Sequence, residues 1–587
     1  MRLGLGLLLC AALFCVPVSA ASAAPPAPFG HACTPRDGAL FCPTADDAAR
    51  VPSFDGVPLD VDVWLPATGD GPFPTVAMLH GFGGSKLDFQ GPKPAGYNAM
   101  ELARKGYAVV LPSARGFGRS CGVPDSRTAD PVGCERGWIH LGDQRYEARD
   151  VQWLLAKLVD QLVARPDELG VTGISYGAGT TMQLALLADR IRRPDGVTES
   201  WQSPDGVPLH IAAAWARRPW TDLADALAPN GRRGLDTYAS PVGIEIEAYV
   251  NALYTLANTS GFVAPLGADP GADLTGWNQR LGKGEPYGAD VRSILQQIHA
   301  YHGVLGLPID KGITPLLIQS GWTDDLFPVG QGLRIYDLLR QKSKTAPVAL
   351  QLGDLGHARA ANHAADLAAF NAQGLAFFEA RLRHAGGSGP APGSVTAYTQ
   401  TCPKAATHGG GPYKAASFAA LARGELVFRH KAAQRVTSSG GDAALSQKLS
   451  PLSVDQCKGV ADDIARGTAV ASVRSPGVTV IGMTHVRAAV AVTGHDALLV
   501  GRLWDVNPAT GHQRLVDRGV VRLRSRKLVS FDLNGSAYKF ARGHQIKLEL
   551  LGRDSPTYRA ANGTFSVTVK QLRVALPTRE RPAKRAP

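Results

Sequence analysis

The hydrophobic period of this chain changes once, near residue 390, and that change limits what it can fold into. From about residue 54 to 384, short apolar runs alternate with amphipathic helical stretches. Pro74–Leu79, Tyr107–Leu111, Leu209–Trp215 and Pro315–Ile318 read as strands, and Asn98–Lys105, Gln144–Leu162 and Ala361–Arg383 as helices. Pro58–Pro66 alternates apolar with polar residues and is expected to be an exposed strand. Strands alternating with helices call for a mainly parallel sheet covered on both faces. About 100 residues between the strands ending at Trp215 and beginning at Pro315 are too many for one crossover. Their helical stretches Ile244–Leu256 and Asp290–Tyr301 are expected to form a cap at about 221–310. Residues 385–394 have linker composition. Beyond them the pattern is short β-rich runs, among them Glu425–His430, Val486–Val492, Ala497–Trp504 and Gln545–Leu551, which predicts an all-β sandwich or jelly roll over 395–577. The basic, Pro-containing stretch 578–587 is expected to be a frayed tail.

The N-terminus reads as a targeting signal. Arg2 precedes an apolar stretch from Leu3 to Val18, and Val18-Ser19-Ala20 or Ala21-Ser22-Ala23 supplies a small-residue cleavage pattern, so 1–23 is expected to be removed on export. The run is short for a membrane span, and Pro25-Pro26 then breaks any helix. Cys10 and Cys15 fall inside the signal, neither in a lipoprotein-like context. Six cysteines remain, and an even number in an exported chain favours disulfides. Proximity suggests Cys33 with Cys42, Cys121 with Cys134, and Cys402 with Cys457. No Cys-x-x-Cys pair exists, so no metal site is expected. The net charge of +12 comes with no Lys/Arg block interleaved with aromatics, which argues against nucleic acid as a partner.

Chemistry concentrates at Gly173-Ile174-Ser175-Tyr176-Gly177. The motif joins an apolar run (Leu169-Gly170-Val171-Thr172) to a helical one (Thr180–Leu187), the context of a nucleophile elbow. A serine there needs a base that is itself oriented by an acid, in chain order Ser, Asp, His. Asp324 stands at the exit of an apolar strand in Gly321-Trp322-Thr323-Asp324-Asp325, with Asp325 as competitor. His357 ends the next strand and loop, with His363 as competitor; His140 and His302 are off-position. The oxyanion donors are expected to be the backbone N–H of Tyr176 and that of Phe82 in the loop His80-Gly81-Phe82-Gly83-Gly84, with His80 fixing the loop. Arg115-Gly116-Phe117-Gly118-Arg119-Ser120-Cys121-Gly122 fails as a dinucleotide fingerprint because its third glycine is misplaced.

These segments resemble the X-Pro dipeptidyl-peptidase and cocaine esterase-like (CocE/NonD) serine hydrolases of the α/β-hydrolase fold. The similarity lies in the Gly-x-Ser-Tyr-Gly elbow, the Arg115–Gly122 stretch, Glu147–Trp153, Gly321–Asp324, and Gly501-Arg502-Leu503-Trp504-Asp505-Val506 with Gly543-His544-Gln545-Ile546. The resemblance implies an acyl-serine mechanism, a helical cap, a galactose-binding-like jelly roll and no cofactor. Some members use a tyrosine hydroxyl near the first loop as oxyanion donor, where this chain has Phe82. The expected substrate is a short peptide or small ester. A dipeptidyl-peptidase needs a carboxylate for the substrate amine, and Asp222, Asp225, Glu245 and Glu247 in the cap are candidates, with Tyr238, Tyr249 and Tyr254 as apolar walls. An esterase needs no such anchor, and a non-catalytic glycan-binding protein would need no triad.

Overall fold

The computed structural model describes residues 27–231, 242–309, 312–384, 389–523 and 527–581. The signal stretch 1–23, Tyr238, residues 385–388 of the expected linker and residues 582–587 of the expected tail lie outside the described residues. No described helix is long and apolar enough to cross a membrane.

One sheet of eleven strands organises the first body. In chain order they are β1 (Thr34–Arg36), β2 (Ala39–Cys42), β3 (Val61–Pro66), β4 (Phe73–Leu79), β5 (Ala108–Pro112), β6 (Ala164–Ile174), β7 (Ala213–Arg217), β8 (Leu316–Gly321), β9 (Val348–Gly353), β10 (Val395–Thr399) and β11 (Gly410–Ala415). Across the sheet the order is β1-β2-β3-β5-β4-β6-β7-β8-β9-β10-β11. The pairs from β5 through β10 are parallel, and those at the two edges are antiparallel. Strands buried on both faces need near-continuous apolar character, and β4, β5, β7, β8 and β9 are buried at every residue. Helices Glu147–Asp160, Tyr176–Leu187, Val329–Lys342 and Ala364–Leu382 follow strands as crossovers.

Three expectations change. The strand over Pro58–Pro66 is not exposed: β3 lies between β2 and β5 and is buried throughout. Its alternation comes from Asp60 and Asp62, whose carboxylates are satisfied by Lys86 Nζ at 2.7 and 2.6 Å rather than by water. The β-rich region does not begin at 395, because β10 and β11 extend the first sheet, with Val395 beside Leu350 of β9. A parallel edge strand leaves a row of unpaired backbone groups, and β10 covers it. The chain end is also ordered further than expected: the last strand runs over Phe565–Thr578, and the Glu580 carboxylate accepts the Thr479 N–H at 2.7 Å.

The second body, from Gly424 onward, packs a seven-stranded against a five-stranded antiparallel sheet. Between β7 and β8, the helices Leu223–Leu227, Glu247–Ser260, Leu274–Gly282 and Ala289–His302 form the cap. The cap and the β domain share one continuous apolar core with the Tyr176 region. Disulfides join Cys33–Cys42, Cys121–Cys134 and Cys402–Cys457.

Candidate active site

Parallel strands place their C-terminal ends on one sheet edge, and the crevice beyond that edge is where such sheets carry sites. Gly173 of β6 pairs with Leu79 of β4, and Gly321 of β8 with Gly353 of β9. The loops leaving β4, β6, β8 and β9 therefore converge, carrying Phe82, Ser175, Asp324 and His357.

Ser175 occupies the left-handed region, φ 55° and ψ −112°, where a side chain other than glycine's is strained. Close packing holds it there. A Cβ on Gly177 would lie 2.1 Å from the Leu79 carbonyl oxygen, and one on Gly173 would lie 2.4 Å from the Gly177 backbone. The Ser175 N–H donates to Arg217 O and the Gly177 N–H to His80 O, both at 2.9 Å, tying the turn to strands on either side. The helix starts at Tyr176, a turn earlier than its apolar pattern suggests. The glycines at 177 and 179 weaken the sequence signal while permitting close approach to β4 and Trp220.

Ser175 Oγ lies 2.9 Å from His357 Nε2, and His357 Nδ1 lies 2.9 Å from both carboxylate oxygens of Asp324. Asp324 is buried and accepts the N–H groups of Leu326 and Phe327 at 3.0 and 2.9 Å, so its charge has donors besides the imidazole. Gly356 (φ +137°) is what lets the two loops meet: a Cβ there would stand 2.5 Å from Asp324 Cβ. Asp325 points elsewhere, into a bidentate pair with Arg359 at 2.6 and 2.9 Å, and its carboxyl is held below the usual range by the nearby guanidinium groups of Arg359 and Arg518 against the effect of burial. His363 bonds Ala406 O at 2.6 Å, and His302 bonds Leu141 O at 3.0 Å. His140 stacks on Tyr146, ring centroids 3.9 Å apart, and burial holds its imidazole well below its ordinary pKa. None of these three touches Ser175.

His80 fixes the first loop, as expected. Its Nδ1–H donates to Gly81 O at 2.7 Å and its Nε2 accepts the Ala114 N–H at 2.9 Å; burial lowers its pKa, which suits the neutral ring this pattern requires. Among the described residues, no protein acceptor takes the backbone N–H of Phe82 or of Tyr176. The Phe82, Tyr176 and Phe117 rings contact one another edge to face at 5.1 to 5.7 Å.

Sequence reasoning assigned no role to Glu147, yet it braces Tyr176 from behind. Its buried carboxylate accepts the Tyr176 hydroxyl at 2.7 Å and the N–H groups of His140 and Asp143 at 2.8 and 2.9 Å, and burial pushes it up to about 7. Nothing local marks Glu147 as a partner of Tyr176, which lies 29 residues further along the chain. Nor did the sequence single out Trp220, Leu223, Trp277 or Phe327, which with Phe82 and Tyr176 wall an apolar pocket opening on Ser175.

Residues 55–197 match the sequence profile of the X-Pro dipeptidyl-peptidase (S15 family). Residues 475–584 match that of the X-Pro dipeptidyl-peptidase C-terminal non-catalytic domain. Both matches point to the X-Pro dipeptidyl-peptidase group, one in the first body and one in the β domain. The chain is a serine hydrolase. No curated protein sequence matches it. Among solved structures, a CocE/NonD family hydrolase from Staphylococcus aureus is 15% identical, with TM-score 0.59, over 92% of this chain and 94% of that one. An alpha-amino acid ester hydrolase is 14% identical, with TM-score 0.54, over 96% and 100%. An aminopeptidase from the marine sediment archaeon Thaumarchaeota archaeon is 13% identical, with TM-score 0.54, over 90% and 95%. At these identities the likeness is one of fold, an α/β-hydrolase sheet followed by an all-β domain.

The acids considered as amine anchors lie outside the pocket. Asp222 caps the helix Leu223–Leu227 and meets His299 at 3.2 Å, and Asp225 pairs with Arg334 at 2.7 Å. Glu247 accepts the Ser555 hydroxyl at 3.0 Å. Glu245 is buried, which raises its carboxyl to about 7, beside Arg559. Of the aromatics, Tyr254 lines the pocket and donates its hydroxyl to Thr275 Oγ1 at 3.1 Å, and the Tyr249 ring stands 6.2 Å from that of His357.

Proposed function

We propose that this chain is an exported ester hydrolase that cleaves esters of neutral, apolar acyl groups through Ser175, His357 and Asp324. The observation that carries the substrate class is the pocket over Ser175: among the described residues its lining includes no charged side chain, and its polar members besides Ser175 are Asn278 and the tyrosines. Seating a protonated amine in such a wall would leave a charge unpaired in an apolar site, which is costly, whereas a neutral acyl chain gains by burial there. A dipeptidyl substrate has that amine, and none of the four acids expected to anchor it lines the pocket.

In the proposed reaction His357 Nε2 takes the proton of Ser175 Oγ as the oxygen attacks the ester carbonyl. Asp324 holds Nδ1–H and stabilises the imidazolium, and the N–H groups of Phe82 and Tyr176 receive the oxyanion. The imidazolium then protonates the departing alkoxide. Water, deprotonated by His357, cleaves the acyl-enzyme. A backbone donor at Phe82 fits a side chain that has no hydroxyl and is packed into the aromatic cluster with Tyr176 and Phe117. The three disulfides support an oxidising, extracytoplasmic setting.

Rates on p-nitrophenyl esters of acetate, butyrate and benzoate, compared with X-Pro-arylamides carrying free and acetylated N-termini, test this reading. Ester turnover with little discrimination between the two arylamides is expected. A kcat/KM for the free X-Pro-arylamide that exceeds the esters and collapses on acetylation would overturn it in favour of a dipeptidyl-peptidase.

A further inference from the structure

The loops that carry Asp324 and His357 run into a buried ionic cluster that the chemistry above does not use. Asp325, one residue after the acid, grips Arg359, two residues after the base, in the bidentate pair already described, and both side chains are buried. The C-terminal domain closes on this pair. Arg518, on the strand His512–Arg522, brings its Nε to 3.6 Å from Asp325 Oδ2. It is anchored in its own domain, donating from Nη1 to Thr557 Oγ1 at 2.8 Å and from Nη2 to Leu449 O at 2.9 Å. Asp517 beside it is buried, accepts the Gly535 N–H at 3.0 Å, and interacts electrostatically with Arg359.

A second strut comes from the same domain. Gln456 Nε2 donates to Asp354 Oδ2 at 2.6 Å. Asp354 precedes His357 by three residues, and its other oxygen accepts the hydroxyl of Thr323, the residue before Asp324, at 2.5 Å. Gln456 is itself held in place by its neighbour Cys457, bonded to Cys402 just past β10. Both struts thus join the acid turn to the base loop, and both originate in the β domain.

Buried ion pairs seldom stabilise a fold more than apolar side chains of the same volume would. What they supply is direction: a bidentate arginine–carboxylate pair permits little relative movement of the segments it joins. Near a triad that matters, because a shift of about 1 Å in a reacting group can cost on the order of a hundredfold in rate.

We propose that Arg518 and Gln456 of the C-terminal domain are positioning residues for hydrolysis, holding the Asp324 turn and the His357 loop at their hydrogen-bonding distance. This rests on the reading of Ser175, His357 and Asp324 as the catalytic set. The test uses the full chain with the variants Arg518→Met, Arg518→Lys and Gln456→Leu, assayed on the p-nitrophenyl ester and for the rate of fluorophosphonate labelling of Ser175. Arg518→Met is expected to lower kcat by about 10- to 100-fold with KM within about twofold of wild type, to slow labelling in parallel, and to be largely rescued in Arg518→Lys. Gln456→Leu is expected to lower kcat by about three- to tenfold with the same split. Wild-type kcat and labelling in folded Arg518→Met, or a lysine variant as impaired as the methionine one, would overturn the proposal. Should Arg518→Met not fold, an unchanged kcat in Gln456→Leu overturns it. A Ser175→Ala control separates the two levels: turnover surviving there removes the catalytic reading itself, whereas its loss alongside an unimpaired Arg518→Met removes the positioning role alone.

Discussion

The turn around Ser175 and the two loops around Asp324 and His357 meet within hydrogen-bonding distance, yet they are held by opposite means. The serine turn is held by backbone packing within its sheet. Two glycines within five residues, the end of β6 and the start of a buried helix force Ser175 into its strained conformation. The acid and base loops have no such self-contained geometry. Asp325, Arg359, Asp354 and Thr323 brace them against each other, and Arg518 and Gln456 reach in from more than 90 residues further along the chain. The nucleophile's turn is shaped by backbone packing against the neighbouring strands of its own sheet, whereas the loops of its acid and base are braced by side chains that reach in from the C-terminal domain. Differently built supports should fail differently.

The largest effect should come from the serine. Ser175→Ala is expected to abolish fluorophosphonate labelling and cost about 10⁶ in kcat, with circular dichroism unchanged; strong labelling of the variant would place the nucleophile elsewhere. Asp324→Asn follows, with a loss of up to about 10⁴ in kcat, because an amide cannot stabilise the imidazolium. Its neighbour separates the two kinds of support. Asp325→Asn should lose far less in kcat, while breaking a buried pair should lower the unfolding free energy by about 3–5 kcal/mol in urea titrations. If Asp325→Asn proved the more crippled in kcat, the acid would be misassigned by one position.

Gly177→Ala tests the steric side. Its Cβ would meet the Leu79 carbonyl at 2.1 Å, so displacement of the serine should lower kcat by about a hundredfold. A wild-type rate would mean that the turn tolerates relaxation and is less rigid than its packing implies. The smallest effect concerns Glu147, whose pKa rises from 4.5 to about 7 through burial. A carboxyl with a raised folded-state pKa binds its proton more tightly in the native protein, so its contribution is fully present below pH 4.5 and is lost as pH rises towards 7. Wild type should therefore lose stability relative to Glu147→Gln across that window, by at most about 3 kcal/mol. A difference independent of pH would show that Glu147 does not ionise in this range.

Much of the site could be read before any fold was known, for a physical reason. The elbow, the Gly-rich loop after β4 and the acid and histidine at strand exits are local patterns, since each strand end lies within a few residues of the group it presents. The sequence also carried the change from helix–strand alternation to β runs that divides the chain. It favoured Asp324 as the acid but kept Asp325, in the same turn, as a competitor. Arg359, which draws Asp325 away, reaches it only when β8 and β9 lie side by side. Nor could the sequence place β10 and β11, short runs that belong to the first sheet because the edge of β9 needs a partner, or show that Asp60 and Asp62, at the start of β3, are buried against Lys86. The pocket walls and the struts from the C-terminal domain were equally out of reach. Sequence determines what a segment can form with its neighbours in the chain; which charges cancel, which edges pair and which side chains enclose Ser175 depend on contacts between distant segments, and these exist only once the chain has folded.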